Sequence, residues 1–585
     1  MKQEVTLKSI PYGEASFEML RNLGYAYVDK TSFIARLEKY NARLAFIARP
    51  RRFGKSLFAN MLTAYYDKAA APEFKKNFEG TWIGEHPTPL ANRFLVLKFD
   101  FSGIDGGEGF VQHFIENVKS GLRKFATRYL KGDSKMEALL DAAHDSPAAL
   151  LCEALGLIEN RFREKIYLVI DESDLFANDL LENDPARLRE IMRRQSLLQH
   201  FYDIVKDQSQ TVIARAFITG VTSFTTDSPA TGFGIAIDVS KSREFAGMLG
   251  FTEEELRALI PQVVDTEHCG LSADAIFKRM KALYEGHRFS PHSDTEVFNP
   301  SMCLHYLNAL ANMGKEPAIL LDPAFASGTS KLKALLSLGG PNFAEKVIRD
   351  VLFEKPISFG GWSSVVYLWA ADELSEQNAL AALAFMGYLT FAPGGGYHLV
   401  CPNEVLKAQF FQIWFRRICR IKAPFLPAES LKNAEEHLAS GDLRPLLDLV
   451  SAMLRKGDDT ETGAGELIPA HLVETAIPLA ALMALNTSDL YRGSAEEAAT
   501  DSGSTRLVLR PRESRPDAAG WVIEFKFVKA GKADAKSEAV VAEKLDEAVA
   551  QLERDSGTEN IAAIPNLRRA AAVFAGTELR ALKTF

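Results

Sequence analysis

A turn that contains Gly54, Lys55 and Ser56 has the clearest chemical potential in this chain. It follows the apolar run Leu44–Ala48 and precedes another apolar run that starts at Leu57, an order that predicts strand, turn and helix. A helix that begins here would point free backbone N–H groups and its positive dipole end at a ligand. Gly54 would allow close backbone approach, Lys55 would supply a charge for phosphate oxygens and Ser56 would hold a magnesium ion. We therefore expect a site for a nucleoside triphosphate.

The turn departs from the usual P-loop pattern at its first position. That pattern has a glycine five residues before Gly54, where this chain has Arg49. A Gly-Lys-Ser tripeptide is by itself also compatible with a plain loop, so the flanking strand and helix carry the argument. Nearby cations predict a basic patch at the phosphate site, or alternatively a solvated surface turn. The patch consists of Arg43, Arg49, Arg51, Arg52 and Lys55.

A second segment, residues 165–172, is a nearly continuous apolar run that ends in two acids. Such a run is typical of a strand buried on both faces of a parallel sheet, where ligands sit at the carboxyl ends of the strands. Asp171 would then order magnesium through water, and Glu172 would polarise the attacking water. The alternative is a core strand that runs into an acidic cap of the next helix.

Two further strand candidates, residues 93–102 and 211–220, fit the same sheet. The second ends in Thr219, with Thr222 and Ser223 just beyond, and a hydroxyl group there could sense a terminal phosphate. Helical stretches at 110–129 and 187–205 separate these strands, and alternation of strand and helix favours an α/β fold with a mostly parallel sheet. The expected cofactor-binding residues are Arg51, Arg52, Phe53, Gly54, Lys55, Ser56 and Thr219.

Composition sets the outer limits of the interpretation. The chain has 585 residues, 47% hydrophobic and 25% charged, which predicts about three soluble domains. A net charge of -8 gives no global nucleic-acid footprint. The 5 cysteines include no C-x-x-C pair, so we expect no zinc site, no disulfide framework and a reducing compartment. No N-terminal signal core and no apolar run of about 20 residues is present, which predicts a cytoplasmic protein without a membrane partner.

The middle of the chain is predicted to be mainly helical. Thr252 and Glu255 form a capping-box pattern at a helix start. Two short strands around a glycine turn, within 385–400, predict a β-hairpin, and a helix at 403–416 follows. This outline is that of a winged helix, which either binds DNA or serves as a packing module. The hairpin lacks a basic run that would favour DNA.

The last hundred residues carry a second chemical signal. Segments 506–510 and 521–527 are predicted strands, and the second places Glu524 and Lys526 on one face. This is the E-x-K half of a metal-dependent nuclease site, in which Glu524 would ligate magnesium and Lys526 would orient water or hold the scissile phosphate. The alternative is a same-face ion pair on an exposed sheet, because E-x-K is a common pattern.

These motifs together resemble the bacterial AAA-ATPase-like proteins that carry a C-terminal PD-(D/E)xK nuclease-like domain. The resemblance covers residues 1 to about 420 with specific motifs, and it implies ATP binding and hydrolysis with Mg2+. The segments that carry it are 10–13, 27–31, 49–56, 170–172, 219–221, 284–289 and 298–300. The expected fold class is α/β: a P-loop NTPase parallel sheet flanked by helices (1–250), a helical lid and winged-helix-like region (251–425), a helical connector (426–490) and a small nuclease-like domain (491–585).

The C-terminal resemblance, over about 465–585, departs from the family at one position. The family has an acid at the start of the strand before E-x-K, where this chain has Arg506. A guanidinium group repels magnesium, and Arg506 could pair with Glu524 in the metal's place. Asp501 or Glu497 could substitute for the missing acid. Two functions stay open: an ATPase whose nucleotide state controls a nuclease-like domain acting on DNA, or a non-catalytic regulator with a degenerate nuclease fold. Oligomeric state cannot be predicted.

Overall fold

The computed structural model describes residues 7–585 with gaps. The gaps are 41, 105, 108, 178–179, 181–183, 185–186, 188–189, 191–195, 223–235, 324, 326–327, 341, 362–374, 418–427, 457–469, 498–504, 513–514, 529–537, 555–560 and 562. The chain forms two compact units. The first comprises Met1–Phe343 and Ser358–Pro402, and the second comprises Ala344–Ile357 and Asn403–Phe585.

The strands and helices of the described residues are numbered in chain order. The strands are β1 Leu44–Ala48, β2 Leu95–Asp100, β3 Ile166–Asp171, β4 Ile213–Gly220, β5 Ile237–Asp238, β6 Ile357–Ser358, β7 Thr390–Phe391, β8 His398–Val400, β9 Tyr491–Glu497, β10 Thr505–Pro511, β11 Gly520–Val528, β12 Leu567–Ala575 and β13 Glu578–Thr584. The helices are α1 Phe17–Asn22, α2 Ser32–Lys39, α3 Lys55–Tyr66, α4 Phe74–Phe78, α5 Trp82–Glu85, α6 Phe110–Tyr129, α7 Ser134–Asp141, α8 Pro147–Arg161, α9 Ser196–Gln208, α10 Glu253–Val263, α11 Thr266–Cys269, α12 Ala273–Tyr284, α13 Pro300–Met313, α14 Gly328–Leu338, α15 Phe343–Leu352, α16 Glu376–Phe385, α17 Glu404–Arg417, α18 Ala428–Ser440, α19 Arg444–Lys456, α20 Ala470–Leu485 and α21 Glu538–Arg554.

A five-stranded parallel sheet forms the centre of the first unit, in the order β2-β3-β4-β1-β5. Helix α3 packs on one face, while α6 packs against β2 on the other face, together with α8 and α9. Every residue of β1 and of β3 is buried, which explains their continuous apolar sequences. The predicted α/β fold with a parallel sheet flanked by helices is thereby confirmed, and it is consistent with a P-loop NTPase.

The face of the sheet that receives α3 is held by aromatic side chains. Tyr66 from α3 stacks on Tyr167 from β3 with ring centroids 4.2 Å apart, and Phe58 packs on Phe217 from β4 at 5.5 Å. All four rings are buried. Burial of each ring contributes on the order of 2–3 kcal/mol, so α3 is fixed firmly relative to the strands near both of its ends.

The helical region that follows the sheet begins as the sequence predicts. Thr252 caps α10, and its hydroxyl and the Glu255 carboxylate form both halves of the capping box. Phe251 and Phe298 exchange backbone hydrogen bonds, which joins the start of this region to the start of α13. The predicted β-hairpin is also confirmed, because β7 and β8 pair antiparallel.

The second unit contains a mixed sheet in the order β13-β12-β11-β10-β9. Strands β11 and β12 are parallel and joined through α21, which packs on β11, β12 and β13, whereas the other pairs are antiparallel. Helix α20 packs against β9, β10 and β11. Glu524 in β11 is fully buried, so the sheet is not exposed at this position, although the same-face pairing with Lys526 is present at 4.0 Å. Three of the five strands, β9, β12 and β13, were not predicted.

None of the helices in the described part of the chain combines the length and the apolar composition needed to cross a membrane.

The contact between α6 and β2 predicts a stability difference between two helical glycines. A Cβ at Gly121 in α6 would lie 2.5 Å from a ring carbon of Phe99 and 2.9 Å from the Lys98 carbonyl oxygen, whereas a Cβ at Gly156 in α8 meets no atom within 4 Å. We expect Gly121→Ala to lower the free energy of unfolding by about 1–3 kcal/mol through overpacking. Gly156→Ala should raise it by about 0.5–1 kcal/mol because alanine favours the helix. Equal effects in urea unfolding would contradict this packing.

Candidate nucleotide site

The strand order brings three predicted site residues to one edge of the sheet. Strand β4 lies between β1, which leads to Lys55, and β3, which ends at Asp171. In register, Ile47 of β1 lies beside Thr219 of β4, and Asp171 lies beside Asp100 of β2. The carboxyl ends of parallel strands meet at one edge, so these residues form a row across the top of the sheet.

Lys55 is the first residue of α3 and is 3% exposed. Its Nζ donates hydrogen bonds to the carbonyl oxygens of Arg49 at 3.2 Å and Pro50 at 3.3 Å, and lies 3.7 Å from Glu172 Oε1. Gly54 precedes the helix with φ 92°, a conformation that favours glycine. The backbone of the turn therefore binds the ammonium group of its own lysine, and the structure brings Lys55 close to the predicted acid Glu172.

Asp171 and Thr219 form the connection between the two central strands. The Thr219 hydroxyl donates to Asp171 Oδ1 at 2.6 Å and accepts from the Glu172 backbone N–H at 3.1 Å. Asp171 is 2% exposed and Thr219 is fully buried. The hydroxyl at the end of β4 thus orients the acid at the end of β3.

Glu172 has the conformation and environment of a functional residue. It has φ 54°, a left-handed conformation that costs a non-glycine residue about 1–3 kcal/mol. Burial raises the pKa of its carboxyl group, as do Asp171 and Asp174, while Lys55 and Arg51 oppose the rise. Among the described residues, none donates a hydrogen bond to its buried Oε2 atom. A raised pKa and an acceptor with spare capacity suit a group that takes a proton from water.

Asp174 supports this corner of the site and was not anticipated from the sequence. Its carboxylate is fully buried and accepts hydrogen bonds from the backbone N–H groups of Val221 and Thr222 at 2.9 and 2.6 Å and from the Thr222 hydroxyl at 2.6 Å. Thr222, a candidate phosphate sensor, is therefore engaged by an acid. The other candidate, Ser223, lies outside the described residues.

The row of polar residues opens into a cavity of about 570 Å³. The lining includes the predicted residues Arg51, Arg52, Gly54, Lys55, Ser56, Asp171 and Glu172, and its apolar residues include Phe53, Val28, Met248, Leu249, Phe251 and Leu304, with the Tyr27 ring. Lys98, Asp100 and Tyr12 also line the cavity and were not predicted as site residues.

Magnesium has suitable ligands at this cavity. The Ser56 hydroxyl and the Asp171 carboxylate both line it, and magnesium prefers hard oxygen ligands of this kind together with phosphate oxygens and water. Thr219 donates a hydrogen bond to Asp171 Oδ1, and this bond fixes the orientation of the carboxylate.

Two arginines of the predicted basic patch lie elsewhere. Arg43 donates to the carbonyl oxygens of Ala214 and Ser209, at the opposite end of β1. Arg49 is 1% exposed and points into the protein, where its guanidinium donates to backbone carbonyl groups. The patch at the cavity is therefore smaller than the sequence suggested, because Arg43 and Arg49 do not line it.

The rings behind the turn form a buried aromatic cluster. Phe53 packs edge-on against His287 and Phe289, with centroids 5.0 and 5.1 Å apart. His287 is buried, and its Nε2 lies 3.2 Å from the Gly387 carbonyl oxygen. Burial lowers the pKa of His287 from its ordinary 6.5 to about 4. The imidazole is therefore neutral near pH 7, and its Nε2–H group donates a hydrogen bond to the Gly387 carbonyl oxygen.

In the second unit, Glu524 lies among cations. Arg506 Nε is 3.3 Å from Glu524 Oε2, as the sequence suggested, and Lys526 Nζ is 4.0 Å from Oε1. Lys526 also donates to Gln551 on α21 at 2.9 Å. Within the described residues, no group of three or more His, Cys, Asp or Glu side chains is arranged to hold a metal ion. One carboxylate between two cations does not fit a magnesium site. Asp501 and the Glu497 side chain lie outside the described residues.

Comparisons with known proteins find similarity over parts of this chain. Residues 11–229 match the family model described as "Predicted AAA-ATPase". A protein of Azotobacter chroococcum mcd 1, described as "Uncharacterized protein in vnfD 5'region", is 26% identical over 302 residues, which are 50% of this chain and 50% of that protein. The chain thus spans about half the length of the curated relative that it matches.

Among solved structures, Cdc6p from Pyrobaculum aerophilum aligns over 67% of this chain and 96% of its own, with 13% identity and a TM-score of 0.26. That TM-score is too low to establish a shared fold. The family match, the parallel sheet and the geometry of the turn support a divergent P-loop ATPase in the matched part of the chain. They say nothing of a nuclease.

The buried state of His287 predicts a pH-dependent stability. The pKa is about 6.5 when unfolded and about 4 when folded, so the unfolded chain binds the proton first as pH falls. Stability from this group is complete above pH 6.5 and is lost between pH 6.5 and 4, by up to about 3 kcal/mol. His287→Phe should flatten the profile of unfolding free energy in this window relative to the wild type. Parallel profiles would contradict a neutral buried imidazole.

Proposed function

We propose that the first unit binds MgATP in the cavity above the sheet and hydrolyses it. The observation that carries the proposal is the convergence of Lys55, Asp171 and Glu172 at the wall of one cavity, with Glu172 Oε1 3.7 Å from Lys55 Nζ and Glu172 Oε2 buried. Catalysis of phosphoryl transfer depends mainly on positioning and on neutralising charge, and these residues supply both.

Each group has a defined task in this proposal. The phosphates draw the Lys55 ammonium from the two loop carbonyl oxygens, since an anionic acceptor is stronger than a neutral one. Arg51 and Arg52 line the same cavity and add positive charge there. Ser56 and Asp171 would hold a magnesium ion, which would supply positive charge to neutralise the phosphates. Glu172 accepts a proton from the attacking water and passes it to solvent.

We also propose that the second unit binds nucleic acid without cutting it, under control of the nucleotide. The supporting observation is the Arg506–Glu524 pair, which fits phosphate binding or structural support better than metal-dependent cleavage. This favours the non-catalytic regulator over an active nuclease. The cytoplasm remains the predicted location.

Calorimetric titration with ATP and magnesium tests the first proposal. Wild-type protein should bind ATP, and Lys55→Ala should weaken binding about 10- to 100-fold, because hydrogen bonds to charged groups contribute about 1.5–3 kcal/mol. Lys68→Ala is the matched control, since Lys68 pairs with Glu164 away from the cavity. Equal affinity in wild type and Lys55→Ala, both correctly folded, would refute the assignment.

An assay of phosphate release distinguishes ATP hydrolysis from ATP binding alone. Glu172→Gln removes the proton acceptor but keeps the shape of the side chain, so ATP affinity should stay within a few-fold of wild type. The rate should fall about 100- to 10,000-fold, the usual contribution of a general base. A Glu172→Gln variant that releases phosphate at the wild-type rate would exclude Glu172 as the base.

A cleavage assay on DNA with magnesium tests the second unit. Wild type should leave DNA intact. Arg506→Asp removes the guanidinium group and places a second acid opposite Glu524, so that two acids are available to bind magnesium, and this variant should cleave DNA. Arg510→Asp, on the same strand, gives the same charge change where the arginine contacts Ser494 and is the control. Magnesium-dependent cleavage by wild type that is lost in Glu524→Gln would show an active nuclease.

A further inference from the structure

Arg49 occupies the position of the first P-loop glycine, yet its guanidinium never reaches the cavity. Nη1 donates to the carbonyl oxygens of Ala48 at 2.9 Å and Ser240 at 2.8 Å, and Nη2 donates to that of Phe245 at 3.2 Å. The guanidinium carbon lies 4.3 Å from the centre of the Phe289 ring. A fork of donors between three carbonyl groups and one aromatic face is geometry that arginine provides and lysine does not.

The backbone of Arg49 holds the lysine that the proposed function requires. Its N–H donates to the Gly220 carbonyl oxygen at 3.1 Å, which ties the turn to the end of β4. Its carbonyl oxygen accepts from Lys55 Nζ at 3.2 Å, next to that of Pro50 at 3.3 Å. The side chain thus fixes a peptide whose oxygen receives the catalytic ammonium.

The turn also carries strain that needs an anchor on each side. Arg52 has φ 70°, a left-handed conformation without the freedom of glycine, which costs about 1–3 kcal/mol. Phe53, on one side, packs on His287 and Phe289, and its carbonyl oxygen accepts from the Gly250 N–H at 3.2 Å. Arg49, on the other side, packs over the same Phe289 ring. Strained residues persist where their surroundings over-determine them, and these two anchors do so.

We propose that Arg49 is a positioning residue: its buried guanidinium, held by the carbonyl oxygens of Ala48, Ser240 and Phe245 and by the Phe289 ring, sets the shape of the phosphate-binding turn from behind. A glycine in this position gives a turn its shape through conformational freedom, whereas this chain uses a fixed cation. The role rests on the proposed function, but the shape of the turn is measurable without ATP.

Two measurements on Arg49→Ala test this inference. Hydrogen–deuterium exchange without added nucleotide should show faster exchange of the amides in 49–56 than in wild type. ATP affinity should fall about tenfold or more, because a displaced turn misplaces Lys55, whose hydrogen bonds to charged groups contribute about 1.5–3 kcal/mol. Millimolar guanidinium chloride should restore both properties by filling the space left by the side chain, whereas sodium chloride of equal ionic strength should not.

Arg43→Ala is the matched control, because it removes another guanidinium bound to backbone carbonyl groups, at the opposite end of β1. It should change neither exchange of the turn nor ATP affinity. Wild-type exchange and affinity in Arg49→Ala would overturn the inference.

Arg49→Lys is the variant to test if Arg49→Ala does not fold. It keeps the charge but loses the fork, so faster exchange of the turn supports the inference and unchanged exchange overturns it. Failure of wild type to bind ATP would instead refute the proposed function, while the exchange data would still decide the role of Arg49.

Discussion

The position of β4 between β1 and β3 is the constraint on which the site depends. It separates the strand that leads to Lys55 from the strand that ends at Asp171 and Glu172 by one strand width, about 5 Å on each side. Thr219 at the end of β4 spans one of these gaps through its hydrogen bond with Asp171. A triphosphate and its cation need a lysine and an acid at this kind of separation, and the strand order supplies it.

The phosphate-binding turn achieves its shape by burial rather than by flexibility. It contains one glycine, Gly54, and a left-handed arginine, and its two ends are anchored by Arg49 and Phe53. Burial lowers the pKa of Arg49 to about 9, with Asp238 opposing the shift, so the guanidinium stays charged near pH 7. A buried cation of this kind is tolerated only because carbonyl dipoles and an aromatic face replace its hydration.

The sequence predicted the strands of the first sheet well because most of them are buried on both faces. The run 165–172 is almost entirely apolar, a composition that favours a strand buried on both faces, and β3 covers residues 166–171 of this run. The pairing order could not be predicted, because it depends on contacts between distant segments. The short strand β5 has only Ile237–Asp238 and gives no periodic pattern. Strand β9, with Gly493 and a glutamate pair, is polar and is stabilised by its partner β10.

Side-chain direction was the main limit on predicting the site. Lys55, Asp171 and Glu172 follow from motif and strand end, and the structure brings them to one cavity. The inward turn of Arg49 depends on carbonyl groups almost two hundred residues away, and nothing in the local sequence indicates them. Asp174 has a local signal, since it closes the run Asp171-Glu172-Ser173-Asp174, but its partners Val221 and Thr222 lie in a distant segment that follows β4. The pairing of Arg506 with Glu524 was predictable because they lie opposite each other on adjacent strands.

The most direct test of the central claim is a crystal structure with magnesium and a non-hydrolysable ATP analogue. We predict phosphate oxygens within hydrogen-bond distance of Lys55 Nζ, which leaves the carbonyl oxygens of Arg49 and Pro50, and a magnesium ion between the phosphates and Asp171. Nucleotide bound elsewhere, or Lys55 still bonded to those carbonyl oxygens beside a bound nucleotide, would contradict the account.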